Sequence, residues 1–144
     1  MEVIKTKFKR LRPEAILPSY AHKGDAGMDF YSCADYKINP GERVLIPTGW
    51  AIELPEGFVS LIWDKSGIAI KKGLTVLGGV IEHNYRGEYG VILFNTSNEI
   101  HEIKKGEKVA QLLIQPICNA ITEEVLELSE TSRGEGGFGS TGIR

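Results

Sequence analysis

A chain of 144 residues, 42% hydrophobic and 25% charged, is long enough for one well-formed core and too short for two ordinary domains. Its formal net charge of −2 gives no global positive field, which argues against tracking along nucleic acid or an anionic membrane. Apolar runs such as Val91 to Phe94 and Val109 to Ile114 fall far below the roughly 18 residues that span a bilayer, and the stretch from Met1 to Arg10 lacks the apolar region of a secretion signal, so the expected location is the cytoplasm.

Short runs rich in Val, Ile, Leu and Phe alternate with Gly, Pro, Asn and Asp, the pattern of many short strands. In chain order the expected strands are Val3 to Phe8, Gly27 to Ser32, Arg43 to Pro47, Trp50 to Leu54, Phe58 to Trp63, Leu74 to Gly79, Tyr89 to Asn95, Lys108 to Pro116 and Glu123 to Leu128. Prolines at 13, 18, 40, 47, 55 and 116 suit strand ends and turns and leave no room for a long helix. One short helical turn fits Ser66 to Lys72, with Ser66 as its cap and Gly73 ending it. After Leu128 the core pattern gives way to Ser, Thr, Gly and charge. The expected organisation is therefore an all-β domain over residues 1–128, followed by a mobile, glycine-rich C-terminal arm over 129–144. Cys33 and Cys118 stand far apart with no metal-ligand spacing and read as buried free thiols. The histidines at 22, 83 and 101 have no clustered spacing, so a histidine-based metal site is not expected.

Five segments carry candidate chemistry. The arm from Arg133 to Gly142 packs five glycines, one arginine, one aromatic and two hydroxyls into ten residues. Glycines let backbone N–H groups cradle phosphate oxygens, Arg133 can fork onto a phosphate, Ser140 and Thr141 can donate, and Phe138 can stack on a base. The bland alternative is a disordered terminus. At Trp63 to Gly67 a strand end leads into the helical turn, where the N–H groups of Ser66 and Gly67 favour an anion and Lys65 adds a full charge; an ordinary capped turn would read the same. From Gly78 to Gly87 two strand candidates are joined in hairpin fashion, with glycines admitting a flat base. There Glu82 could orient or deprotonate water, and Tyr85 could pack on a sugar and exclude a 2′-hydroxyl. A solvated surface hairpin is the alternative. Asp29, in Gly24 to Asp29, could hold the water shell of a magnesium ion or be a structural carboxylate. Gln111, in Gly106 to Leu113, is an amide in an apolar strand, either a network residue or a ligand contact.

In this order and spacing the five segments resemble the five motifs of the trimeric deoxyuridine triphosphatases: Ala26 to Phe30, Asp64 to Gly67, Gly79 to Glu88, Gly106 to Leu112 and Arg133 to Gly142. The resemblance spans nearly the whole chain. It implies a jelly-roll-like distorted β-barrel, a homotrimer with three active sites at subunit interfaces, and magnesium-assisted hydrolysis of dUTP to dUMP and pyrophosphate. Such an activity keeps uracil out of DNA and supplies dUMP for thymidylate synthesis. Carried over by position, Lys65, Ser66 and Gly67 would hold the phosphates. The stretch Val76 to Tyr85, with Val76, Gly79, Val80 and Ile81, would read uracil largely through backbone groups. Tyr85 would pack on the deoxyribose, Gln111 would touch the phosphate path, and Asp29 would act through water near Mg2+. Arg133, Phe138, Gly139, Ser140 and Thr141 would come from a neighbouring subunit, and Glu82 would activate the attacking water.

Two positions depart from the family's pattern. Glu82 stands where the water-activating residue is usually Asp, extending the carboxylate by one CH₂, and Lys65 stands where arginine is common. The Glu82 change leaves room for a second reading, a catalytically weak dUTP sensor or interaction protein. A third, the fold-related dCTP deaminase, needs a glutamate in the strand after the third motif, where this chain has Ile92.

Overall fold

The computed structural model describes residues 1–143. The expected all-β fold with one short helical turn is borne out: eleven strands and one helix are laid out among the described residues. They are β1 (Lys7–Arg10), β2 (Met28–Tyr31), β3 (Tyr36–Ile38), β4 (Arg43–Pro47), β5 (Trp50–Glu53), β6 (Phe58–Trp63), α1 (Ser66–Lys72), β7 (Leu74–Leu77), β8 (Val80–Glu82), β9 (Gly90–Asn95), β10 (His101–Ile103) and β11 (Lys108–Pro116).

The ladders are all antiparallel. One sheet runs β2-β11-β6-β8, a second β4-β9-β7, and two strand pairs, β1-β5 and β10-β3, flank them. The pleat sends alternate residues inward. In β9, Val91, Leu93 and Asn95 are buried while Ile92 and Phe94 are only half-buried. Inward side chains of both larger sheets meet in one cluster that includes Phe30, Ile46, Ile62, Leu74, Leu93 and Leu112. The buried amide of Asn95 is fully matched. It donates to the carbonyls of Ile38 (3.0 Å) and Glu99 (2.7 Å) and accepts from the Ser97 N–H (2.9 Å) and hydroxyl (2.7 Å).

Several expected elements are displaced. The first strand forms over Lys7–Arg10 rather than Val3 to Phe8, because its register is chosen by β5. Phe8 meets the Trp50 ring edge-on at 5.9 Å, and the Arg10 guanidinium lies 4.7 Å above it. Glu123 to Leu128 is not a strand. Nothing among the described residues pairs with it, and Ile121, Leu126 and Leu128 are almost fully exposed. The two strands that Gly78 to Gly87 was expected to join in hairpin fashion do pair antiparallel, as β7 and β9, but the joining segment is more than a loop, since it forms β8 on the other sheet. Strand β7 pairs with β9 and β8 with β6, so Gly78 and Gly79 carry the chain from one sheet to the other. Ser66 is not the helix cap. Extended Lys65 occupies that position without a side-chain capping bond, and Ser66 is the first helical residue. Cys33 is buried as expected, whereas Cys118 is exposed just beyond β11. Among the described residues no helix is long and apolar enough to cross a membrane.

Candidate active site

Two groups of the expected residues come together, and each is built on strand ends. At the first, β2, β11 and the turn after β6 converge. Register places Gln111 beside Asp29 on one side and Trp63 on the other. The Asp29 side chain is only 7% exposed, and its two oxygens accept from the ammonium groups of Lys65 and, at 2.9 Å, Lys108. A register shift in β11 between Lys108 and Ala110 accompanies this arrangement. Burial alone would raise the Asp29 pKa, yet the hydrogen bonds and charges of the two lysines hold it below the usual carboxylate range. In the same contact Asp29 raises the pKa of Lys108. One carboxylate and two ammonium groups leave a net charge of about +1 beside the exposed Ser66 and Gly67, a local field suited to phosphate in an otherwise acidic protein.

Gln111 is a network residue in this chain. Its amide donates to the Asp64 carbonyl at 2.8 Å, tying β11 to the turn that leads into α1. Its side chain lies so close over Gly27 that a Cβ there would sit 2.2 Å from its oxygen. Asp64, which the sequence did not single out, locks the same turn from the other side. Its carboxylate accepts from the Thr75 hydroxyl and the Val76 N–H, each at 2.6 Å. The Val76 N–H is thus already satisfied inside the chain and is not available to a base.

The second group lies around the Gly78–Gly79 corner. Strands β7 and β8 are the edge strands of their two sheets, and between them opens a cavity of about 320 Å³ lined by Leu61 to Asp64, Thr75, Val76 and Gly78 to Val80. Three of the four expected base-reading residues, Val76, Gly79 and Val80, line it; Ile81 pairs with Ser60 one step further along. Gly79 has a φ of +102°, and its carbonyl accepts from the Ile62 N–H at 2.8 Å. A Cβ at this position would lie 2.6 Å from the Ile62 oxygen. As an edge strand, β8 presents one row of unpaired peptide groups on the side away from β6.

Glu82 ends β8 opposite Val59 and is exposed, with no hydrogen bond or ion pair to its carboxylate among the described residues. Tyr85, partly exposed, follows in a turn closed by its N–H onto the Glu82 carbonyl at 3.1 Å.

The slot adjoins the first group at Asp64, but strand β6 separates Glu82 from that group. Glu82 stands opposite Val59, while Gln111 stands opposite Trp63, four residues on, a run of about 13 Å along an extended strand. Ser66 lies further still. The arm joins neither group. Its hydrogen bonds stay within it, as from Arg133 to the Gly136 carbonyl at 2.8 Å, and Phe138 is fully exposed. Among the described residues, no cluster of three or more His, Cys, Asp or Glu could cage a metal.

The family profile described as dUTPase matches residues 13–142. A deoxyuridine 5'-triphosphate nucleotidohydrolase of Clostridium tetani is 51% identical over 138 residues, covering 94% of this chain and 95% of that protein. One of Nautilia profundicola is 51% identical over 141 residues, covering 96% and 99%. Among solved structures, a variant of the Staphylococcus bacteriophage 80alpha dUTPase with dUpNHpp superposes with a TM-score of 0.90 at 32% identity, covering 96% of this chain and 99% of that one. A phage phi11 dUTPase variant, described with a structural Mg(II) ion, gives a TM-score of 0.81 at 27% identity over 88% of this chain and 99% of that one.

Proposed function

The chain belongs to the dUTPase family and hydrolyses dUTP, and on that premise we propose how its own residues divide the work. The observation that carries the reading is the two-part site: a net-positive cluster around buried Asp29 beside Ser66 and Gly67, and a base-sized slot between β7 and β8, from which β8 leads on to Glu82 and Tyr85.

Uracil enters the slot between the edges of β7 and β8. Its edge offers acceptor, donor, acceptor, which the outward-facing N–H and C=O of Val80 on the edge of β8 can complement, while Gly79 and Val76 shape the wall and the Ile81 peptide faces Ser60 across the ladder. A narrow slot rejects the methyl group of thymine. Tyr85 packs against the deoxyribose and excludes a 2′-hydroxyl. Lys65, Ser66 and Gly67 take the phosphates, with Gln111 holding the turn that presents them. Glu82 orients and deprotonates the water that attacks the α-phosphorus, releasing dUMP and pyrophosphate. Catalysis rests mainly on positioning and charge neutralisation.

Magnesium fits as an ion carried on the triphosphate rather than one caged by protein. Asp29 keeps its negative charge, and each oxygen retains a free lone pair after the lysine contacts, so it can accept from a metal-bound water. When bound, the ion would neutralise phosphate charge and orient the phosphate chain.

One chain leaves Glu82 and the Ser66 turn at opposite ends of β6, and this separation supports a site completed by a second copy. We place Glu82 of one protomer against the Asp29–Lys65–Ser66 cluster of another in a homotrimer. The arm, residues 129–144 beyond the domain of residues 1–128, comes from a neighbour, bringing Arg133, Phe138, Gly139, Ser140 and Thr141 over the ligand. The acidic overall charge and the absence of a membrane-length helix among the described residues suit a small-molecule enzyme of the cytoplasm with neither nucleic acid nor membrane as partner. Pyrophosphate release from dUTP, dTTP, UTP and dCTP, measured side by side with magnesium, tests base, sugar and chemistry together. Release from dUTP alone is expected; comparable release from dTTP or UTP would overturn the slot and Tyr85 assignments.

A further inference from the structure

Tyr85, exposed on one side, leans with its other side on its own loop. The Tyr85 hydroxyl donates to the Glu88 carbonyl at 3.1 Å, and its ring lies 6.0 Å from that of buried Tyr89. Gly87 lies beneath it: a Cβ there would come within 2.3 Å of the Tyr85 oxygen and 2.5 Å of the ring carbon bearing it. The ring therefore rests directly on the backbone of residues 87 and 88, and its position follows theirs.

That backbone is fastened by the Glu88 side chain, which the proposed mechanism does not use. Its carboxylate accepts a bidentate pair from Arg12, Nε at 2.8 Å and Nη2 at 3.0 Å, and a third hydrogen bond from the Gly49 N–H at 2.9 Å. The partners lie 76 and 39 residues away in sequence, so the clamp ties the Tyr85 loop to two distant segments. Bidentate geometry fixes orientation as well as distance, which a point charge would not. Consistent with three donors, Glu88 is held below its ordinary pKa, first by the Arg12 hydrogen bond.

We propose that Arg12 and Glu88 are positioning residues for sugar selection, holding Tyr85 where it meets the 2′ face of the substrate's deoxyribose. The inference rests on Tyr85 being the sugar contact. Releasing the clamp lets the 85–88 loop shift. A ring displaced by about 1 Å no longer blocks a 2′-hydroxyl, while the base slot and the phosphate cluster, built on β2, β6 to β8 and β11, keep their places.

The test compares kcat/KM for dUTP and UTP in Glu88→Gln, Arg12→Lys, Arg12→Ala and Tyr85→Ala, with thermal unfolding recorded for each variant. The dUTP-to-UTP ratio is expected to fall about tenfold or more in Glu88→Gln and Arg12→Ala, and less in Arg12→Lys, which keeps the charge but loses the fork. A purely structural role would lower both substrates equally, leave the ratio unchanged and overturn the proposal. If Tyr85→Ala lowers the ratio but none of the clamp variants does, the clamp is refuted while the sugar contact stands. If Tyr85→Ala itself leaves the ratio unchanged, the sugar assignment and the clamp proposal both fail. Should Glu88→Gln not fold, the Arg12 variants, made at a half-exposed side chain, decide the matter alone.

Discussion

Replacing Gly79 with alanine perturbs the corner on which the base slot depends, and the structure sets its size. At φ +102° an L side chain is strained by about 1–3 kcal/mol. The new Cβ would also sit 2.6 Å from the backbone oxygen of Ile62, an atom that cannot rotate away. Strand β8 must then move off β6, breaking the Ile62-to-Gly79 hydrogen bond of 2.8 Å, a further loss of about 0.5–1.5 kcal/mol. Together these come to roughly 2–4 kcal/mol, or about 6–16 °C in melting temperature for a domain of this size. Gly57→Ala is the control, because Gly57 has φ +91° with nothing within 4 Å of the Cβ that alanine would add, so it carries the backbone strain without the clash. Thermal unfolding and dUTP steady-state kinetics on both variants check the reasoning. Gly79→Ala should melt lower than Gly57→Ala and show a raised KM for dUTP, while Gly57→Ala keeps its KM. Equal melting temperatures with an unchanged KM in Gly79→Ala would refute the slot between β7 and β8.

Glu82→Gln is expected to lower kcat by roughly 10²–10⁴-fold with little change in KM. Glu82→Asp, which draws the carboxylate back by about 1.5 Å, should cost roughly a hundredfold if the site is built around the longer side chain; a rise in turnover would show that the extra CH₂ is what limits the enzyme. Truncation after Glu130 should lower kcat/KM on the order of a hundredfold or more yet leave the melting temperature unchanged, since the hydrogen bonds of the arm stay within it. Asp29 has a lowered pKa in the folded chain, so its stabilising contribution is present above the unfolded value near 3.9 and is lost as pH falls through the folded one. Asp29→Asn should therefore lower the melting temperature at pH 7 and flatten its decline between about pH 5 and 2, as followed by unfolding at a series of pH values.

The long, β-branched runs were legible because sharp breakers bound them. Strand β6 begins after Gly57, α1 ends at Gly73, and β11 runs unbroken from Lys108 to Pro116. Strands β3, β8 and β10 escaped the sequence pattern because three residues are too few to show alternation. The first strand moved because its partner, β5, lies some forty residues away and decides which residues pair. Glu123 to Leu128 carries apolar residues at Val125, Leu126 and Leu128 but has no neighbour among the described residues to complete a ladder. At the site, Asp29 lies near the start of a strand and Gln111 inside one, as the sequence pattern indicated, and Glu82 and Tyr85 fall in the segment joining β7 to β9. Their grouping was not legible, since it follows from which strands share β6. Arg12, Asp64 and Glu88 were missed for the same reason. Their partners lie at sequence separations of 76, 12 and 39, and no local pattern marks such pairs.

If Glu82 of one protomer works with the Ser66 turn of another, two chains that each lack one of these residues complement each other. Glu82→Gln and Ser66→Ala chains, each inactive or nearly so alone, are unfolded together, refolded at equal ratio and assayed for pyrophosphate release from dUTP. Random assembly should restore roughly a quarter of the wild-type sites, because each shared site then has about one chance in four of drawing both intact residues. A mixture no more active than the separate variants, although the chains demonstrably co-assemble, would place Glu82 and Ser66 in the same protomer's site and contradict the shared one.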